Sequence, residues 1–83
     1  MKKYLASINL PAAGKHFDAF LPCGKTIGEV TVLLARLAEQ LYGESFKSTP
    51  DTVLLNAASG LPYKREITIQ DAGIRNASKL TLV

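Results

Sequence analysis

Cys23 and His16 are the residues whose chemistry could support catalysis, because they are the single thiol and the single imidazole of the chain. A histidine beside a cysteine can generate a reactive thiolate. However, no glycine-rich oxyanion loop or third orienting motif accompanies them, and a chain of 83 residues is too small for a deep cleft between domains. The carboxylates are dispersed along the sequence. We therefore expect a protein that is not an enzyme and has no catalytic residue.

Composition narrows the remaining classes of function. One cysteine allows neither an internal disulfide nor a Cys pair at zinc-ligand spacing, so we expect no metal and no cofactor. The net charge of +3 is small and its basic residues are scattered, which argues against nucleic acid as a partner. The start of the chain lacks the apolar run of a signal peptide, and no stretch approaches the ~20 apolar residues of a membrane helix. We expect a cytoplasmic protein without direct membrane insertion.

Alternation of apolar and polar side chains predicts the strands. Residues 4–10 and 16–22 alternate on either side of a short link with Gly14, which is typical of a hairpin. Residues 52–56 predict a third strand, residues 61–63 a short edge strand and residues 79–83 the last strand. Val53, Leu54 and Leu55 are consecutive, so the register of the third strand stays open: either Leu54 or the pair Val53 and Leu55 faces away from the core.

One helix is predicted at about residues 27–42. Thr26 as N-cap and Glu29 three residues later form the pattern of a capping box, and Gly43 is expected to end the helix. Apolar residues then recur at spacings of three and four, and two more widen the stripe that should face the core. The stripe consists of Ile27, Val30, Leu34, Leu37 and Leu41, widened by Leu33 and Ala38.

The order of these elements predicts an α+β domain that spans residues 1–83. The first hairpin and the last strand can share a sheet only if the helix crosses over, so that the first and last strands run in parallel. The predicted fold is a β-grasp, a mixed sheet of four to five strands packed on one main helix.

The last sixteen residues resemble ubiquitin without a gap. The matching residues are Thr68, Ile69, Asp71, Ile74, Ser78, Leu80, Leu82 and Val83. Within this superfamily the chain is similar to the bacterial YukD/EsaB proteins of type VII secretion systems. Phe17-Asp18 followed by Phe20-Leu21-Pro22 resembles the strand that leads into their helix, and residues 71–76 resemble their Asp-x-Gly-Ile-x-Asn turn. Ala77-Ser78 is a departure, since members of the family often have Gly-Asp there.

The resemblance implies a ubiquitin-like adaptor on the cytosolic side of a type VII (WXG-type) secretion apparatus, with secretion-machinery proteins as partners. Association of the chain with itself is left open. Because the sequence ends in a strand at Val83 without a Gly-Gly tail, we expect neither conjugation nor sulfur transfer. Two alternatives are a small accessory subunit of a multicomponent di-iron monooxygenase and a sulfur-carrier-like protein whose tail is missing.

The alternation of the strands predicts a partner-binding surface on the sheet face away from the helix. Partners bind ubiquitin through an apolar patch on the same face, and several apolar residues on adjoining strands mark such a site. The predicted partner-binding residues are Leu5, Phe20, Leu55, Thr81 and Val83.

Overall fold

The computed structural model describes residues 2–83, and over this range it has one helix packed on a four-stranded mixed sheet. The strand order is β2-β1-β4-β3; β1 and β4 run in parallel, while the two outer pairs are antiparallel. The β-grasp prediction is confirmed. The elements are β1 (Lys3–Leu10), β2 (Lys15–Pro22), α1 (Ile27–Tyr42), β3 (Leu54–Asn56) and β4 (Ser78–Leu82).

The predicted short edge strand at residues 61–63 is reduced to a single bridge between Leu55 and Pro62. Two hydrogen bonds flank this bridge: the Asn56 N–H donates to the Leu61 carbonyl at 2.9 Å, and the Tyr63 N–H donates to the Leu54 carbonyl at 3.2 Å. Pro62 therefore occupies a non-hydrogen-bonded position, where a missing N–H is tolerated. Of the four to five strands expected, four are present within residues 2–83.

The start of α1 is fixed by the predicted capping box. The backbone N–H of Glu29 donates to Thr26 Oγ1 at 3.2 Å, and the backbone N–H of Thr26 donates to Glu29 Oε1 at 3.1 Å. The second of these bonds is the main cause that lowers the pKa of the Glu29 carboxyl, helped by the Thr26 hydroxyl and the Lys25 ammonium. The N–H groups of Ile27 and Gly28, the first two residues of the helix, donate to the carbonyls of Ile67 and Arg65, so the first turn is also tied to a distant segment.

The helix ends at Tyr42, as predicted, but Gly43 does not have the conformation expected of it. A glycine at the end of a helix commonly adopts the left-handed conformation, whereas Gly43 has φ −60° and ψ −19°, which is right-handed. A Cβ at this position would lie 2.6 Å from the Glu39 carbonyl oxygen. Gly43 is therefore needed because no side chain fits there.

The core lies between α1 and the inner face of the sheet. Apolar residues of all four strands are buried there against the helix, together with Ile69 and Ile74 from the segment that precedes β4. The largest fully buried side chains are Ile8, Leu10, Leu21, Ile27, Val30, Leu54, Ile69, Ile74, Leu80 and Leu82.

One flank of α1, here the connection flank, is covered by the chain between α1 and β3. Thr31 and Ala35 on this flank are buried, and with Val32 they line a small pocket closed by residues 48–52 and Arg65. The sequence placed Thr31 off the core stripe. It can be buried beneath the connection because its hydroxyl donates to the Ile27 carbonyl oxygen at 2.7 Å, which satisfies the polar group.

The opposite flank, here the β2 flank, faces the edge of the sheet. Leu41 shares a surface pocket with Ala13 and Lys15 of the β1–β2 hairpin. Leu33 and Leu41 are 51% and 53% exposed, and Leu37 is half-buried, so the prediction that all three face the core was wrong. The sheet ends at β2, and no further strand lies beneath these leucines in the described part of the chain.

No helix of residues 2–83 combines the length and apolar character that crossing a membrane requires.

Candidate functional site

The sheet face opposite α1, here the open face, carries the side chains that point away from the core. Cross-strand pairing arranges them in rows. Phe20 lies opposite Leu5, and the next row contains Asp18, Ser7 and Lys79. A third row runs across all four strands through His16, Asn9, Thr81 and Leu55.

The register of β3 decides which of its apolar residues reach the open face. Leu54 is 2% exposed and belongs to the core, so Leu55 points the other way and lies opposite Thr81. Beyond this pair, Val53 and Val83 exchange both backbone hydrogen bonds, at 2.7 and 3.0 Å. We call Val53, Leu55, Thr81 and Val83 the β3–β4 cluster.

Leu5 and Phe20 form a separate β1–β2 cluster at the other end of the open face. Phe20 is 65% exposed, the largest exposed fraction among the residues predicted to bind a partner. Leu5 lies four positions before Asn9, the residue opposite Thr81, which corresponds to about 13 Å of strand. The polar row of Asp18, Ser7 and Lys79 lies between the clusters. The five predicted residues all lie on or beside strands of the open face, but they form two surfaces rather than one.

A groove of about 460 Å³ runs along the β1–β2 cluster. One wall of the groove is the turn before β4, which hydrogen-bonds to both backbone groups of Leu5. The Leu5 N–H donates to Asn76 Oδ1 at 2.9 Å, and the Ala77 N–H donates to the Leu5 carbonyl at 2.8 Å. Ala77 has φ +69°, a left-handed conformation that costs a residue with a Cβ about 1 kcal/mol. Members of the YukD/EsaB family, which the sequence resembles, often have glycine at this position. The groove is lined by Leu5, Ala6, Ser7, Asp18, Asn76, Ala77 and Lys79.

Cys23 and His16 are not brought together. Cys23 is buried in the core, whereas His16 is exposed near the start of β2, in the open-face row. Their side chains therefore lie on opposite sides of the sheet. Among residues 2–83, no group of three or more His, Cys, Asp or Glu side chains is placed to hold a metal ion.

A second pocket, of about 420 Å³, lies beside β3 and β4 and contains the half-buried Tyr63. Burial raises the pKa of the Tyr63 phenol, and a hydrogen bond with Asn56 opposes this effect. Burial thus favours the neutral form of the phenol. Gly73 also lines this pocket and has φ +83°, a conformation that favours glycine.

Comparison with known proteins identifies the fold. No family model matches the chain, and no curated protein matches it. The EccD5 ubiquitin-like domain from Mycobacterium xenopi superposes with a TM-score of 0.84 at 12% identity, over 100% of this chain and 94% of that one. The ubiquitin-like domain of the Mycobacterium tuberculosis type VII secretion protein EccD1 gives a TM-score of 0.69 at 22% identity, over 100% and 99% of the two chains. The fold is ubiquitin-like.

A third similar structure comes from a different class of protein. A chain of the toluene 4-monooxygenase HD complex superposes with a TM-score of 0.78 at 10% identity, over 99% of this chain and 98% of that chain. Likeness at this level of identity reports the shared fold, which hosts unrelated functions.

Sequence reasoning missed Val53 as a definite member of the open face. Once Leu54 is assigned to the core, the alternation of side chains along residues 53–55 places Val53 on the open face. The hydrogen bonds between Val53 and Val83 agree with this assignment. It also missed the exposed leucines of α1, because helical periodicity reports one apolar direction and says nothing about where the sheet beneath it ends.

Proposed function

We propose that this chain is a non-enzymatic protein-interaction module of the YukD/EsaB family, acting in the cytoplasm as an accessory or adaptor component of a type VII secretion system. The observation that carries the proposal is the β3–β4 cluster, an apolar surface on adjoining strands of a ubiquitin-like sheet. The structural likeness to the EccD5 and EccD1 ubiquitin-like domains supports the secretion context.

The β3–β4 cluster is suited to binding because its backbone is already ordered. Leu55 and Thr81 are paired within the sheet, and Val53 and Val83 are joined by two hydrogen bonds. A partner that covers these side chains therefore loses little conformational freedom of the backbone. Single exposed apolar residues are ordinary, whereas adjoining ones mark an interface.

Leu5 and Phe20 are proposed as a separate contact region. The polar row between the clusters and the distance of about 13 Å along the strand exclude them from the centre of the same small contact. A partner large enough to cover the whole open face would contact both clusters. Variants of each cluster therefore measure how far the partner extends.

The test is capture from the source organism with the purified chain immobilised, followed by mass spectrometry of what binds. We compare the unmodified chain with Val83→Asp, Phe20→Asp and Val32→Asp. Val32 and Val83 are 46% and 47% exposed, so Val32→Asp is a matched control on the helix. The expected result is capture of a type VII secretion component that Val83→Asp abolishes and Val32→Asp leaves unchanged.

Two results would contradict the proposal. Capture of a secretion component that persists with Val83→Asp would remove the β3–β4 cluster from the interface. Capture of di-iron oxygenase subunits would favour the second candidate function, a small monooxygenase subunit, which the likeness to a chain of the toluene 4-monooxygenase complex supports.

A further inference from the structure

The outer edge of β2 is a free strand edge. The Cys23 N–H donates to the Lys2 carbonyl, and hydrogen-bonded pairs then alternate along an antiparallel ladder, so Leu21, Ala19 and Phe17 direct their backbone groups toward β1. Phe20, Asp18 and His16 direct theirs outward. Within residues 2–83 these outward N–H and C=O groups have no hydrogen-bond partner, and such an edge is a template for another strand.

An apolar stripe lies beside this edge. Leu33, Leu37 and Leu41 recur every four residues on α1, which places them in one row along the helix. We call them the leucine stripe. Leu33 and Leu41 are more than half exposed, and Leu41 lines the pocket against the β1–β2 hairpin.

Phe17 and Ala19 form the floor between the leucine stripe and the free edge. Both are half-buried on the helix side of β2 and pack against the core only in part. The Phe17 ring is held at 6.5 Å from the ring of Tyr42, at the end of α1. An occupant that pairs with β2 would therefore also cover apolar side chains on the helix side of the sheet.

We propose that this edge binds a second copy of the chain, with β2 antiparallel to the partner's β2 around a two-fold axis at Phe17. Hydrogen-bond complementarity selects this arrangement. His16 faces Asp18 of the partner subunit, and Asp18 faces the partner's His16, as hydrogen-bonded pairs on the open face. An imidazole N–H can donate to a carboxylate directly across two strands, and such a cross-strand pair stabilises their pairing.

The neighbouring registers are less favourable. A two-fold axis at Asp18 would place two aspartates directly opposite each other, which is destabilising. An axis at Ala19 would set His16 against the partner's Pro22, which has no N–H to donate. The axis at Phe17 avoids both problems and brings the two Phe17 side chains together on the helix side.

The resulting dimer has a continuous sheet of eight strands, four from each copy. The two Phe17 rings lie between the two leucine stripes, so each copy covers the apolar floor left open in the other. The contact uses the same surface on both copies, as a closed two-fold dimer requires. It leaves the β3–β4 cluster at the opposite edge of each sheet accessible.

The test is sedimentation equilibrium of the full chain over a concentration series. We expect a reversible monomer–dimer equilibrium. His16→Asp sets a second carboxylate against Asp18 at both symmetric positions of the dimer and should weaken association about tenfold. The exchange of the two residues, His16→Asp with Asp18→His, restores complementarity and should return the dissociation constant to within about threefold of the original.

Two helix variants test the leucine stripe with a matched pair. Leu33→Asp should weaken association about tenfold, whereas Val32→Asp, on the adjacent and similarly exposed residue of the other flank, should leave it unchanged. Far-UV circular dichroism and urea unfolding confirm that each variant is folded. A chain that stays monomeric at every concentration, or a dimer that the double exchange fails to restore, overturns the proposal; binding of an extended apolar peptide to a monomeric chain would assign the edge to another occupant.

Discussion

The two flanks of α1 differ in what covers them, although both border the same core. On the connection flank, Thr31 and Ala35 are buried beneath the chain that leads to β3. On the β2 flank, Leu33 and Leu41 remain more than half exposed at the edge of the sheet. A threonine is therefore inside and two leucines are outside. Burial at a position follows from whether the chain has a segment to place there, and the polarity of the side chain comes second.

The covering segment is held in place by specific contacts. Phe46 is buried in the core, and Thr52 is buried at the end of the connection. The Ser48 N–H donates to Glu39 Oε1 on the helix at 2.7 Å, and the Thr49 N–H donates to Thr52 Oγ1 at 3.0 Å. The β2 flank has no comparable segment within the described residues, which is why it is the flank available to a second molecule.

The largest expected effect contrasts neighbouring leucines. Leu34→Ala should lower the free energy of unfolding by about 3 kcal/mol, because Leu34 is buried and its loss leaves a cavity. Leu33→Ala should cost less than about 1 kcal/mol in the monomer, since its side chain is half in water. Urea unfolding at low protein concentration measures both. Equal losses would mean that the β2 flank is covered within the monomer.

A middle-sized effect probes the connection flank. Ala35→Leu should destabilise the fold by about 2 kcal/mol, because Ala35 is buried and the pocket beside it is small, so the larger side chain has to displace residues 48–52. Arg36→Leu introduces the same side chain one residue later on the exposed side of the helix and is the control. If Ala35→Leu were neutral in thermal unfolding, the connection would be loosely packed and the contrast between the flanks would weaken.

The smallest effect concerns Glu29, which lies one turn before Leu33 and is exposed. Its folded-state pKa is lowered, chiefly by the hydrogen bond from the Thr26 backbone N–H, so its contribution is present above the ordinary carboxyl pKa of 4.5 and is lost as the pH falls through the folded value. Between pH 6 and pH 3 the unmodified chain should therefore lose more stability than Glu29→Gln. Urea midpoints at the two pH values give the comparison, and equal losses would contradict the role of the capping carboxylate.

The strands and the helix could be predicted because each carries its own periodic pattern. The parallel pairing of β1 with β4 also followed from the order of elements and the handedness of crossovers. The exposure of the leucine stripe could not be predicted, because residues 44–51 have no periodic pattern and their path over one flank of α1 depends on contacts such as Phe46 in the core.

The open face shows a second limit of sequence reasoning. Alternation assigned Leu5, Phe20, Thr81 and Val83 to the correct side of the sheet, but it does not report how far apart two strands place their residues. That distance is fixed by the register of β1 against β4, in which Asn9 rather than Leu5 lies beside Thr81. Register is a tertiary property, so one predicted patch became two clusters.

The ties between α1 and residues 65–67 have a consequence for the order in which this protein can be assembled during synthesis. The N–H groups of Ile27 and Gly28 find their acceptors about forty residues later in the chain, and β1 finds its second neighbour only in β4. A nascent polypeptide that has emerged only as far as the helix can form the β1–β2 hairpin and α1, but it cannot pair β1 with β4. The fold is completed only once Leu82 has left the ribosome, so folding is a late event that depends on long-range contacts.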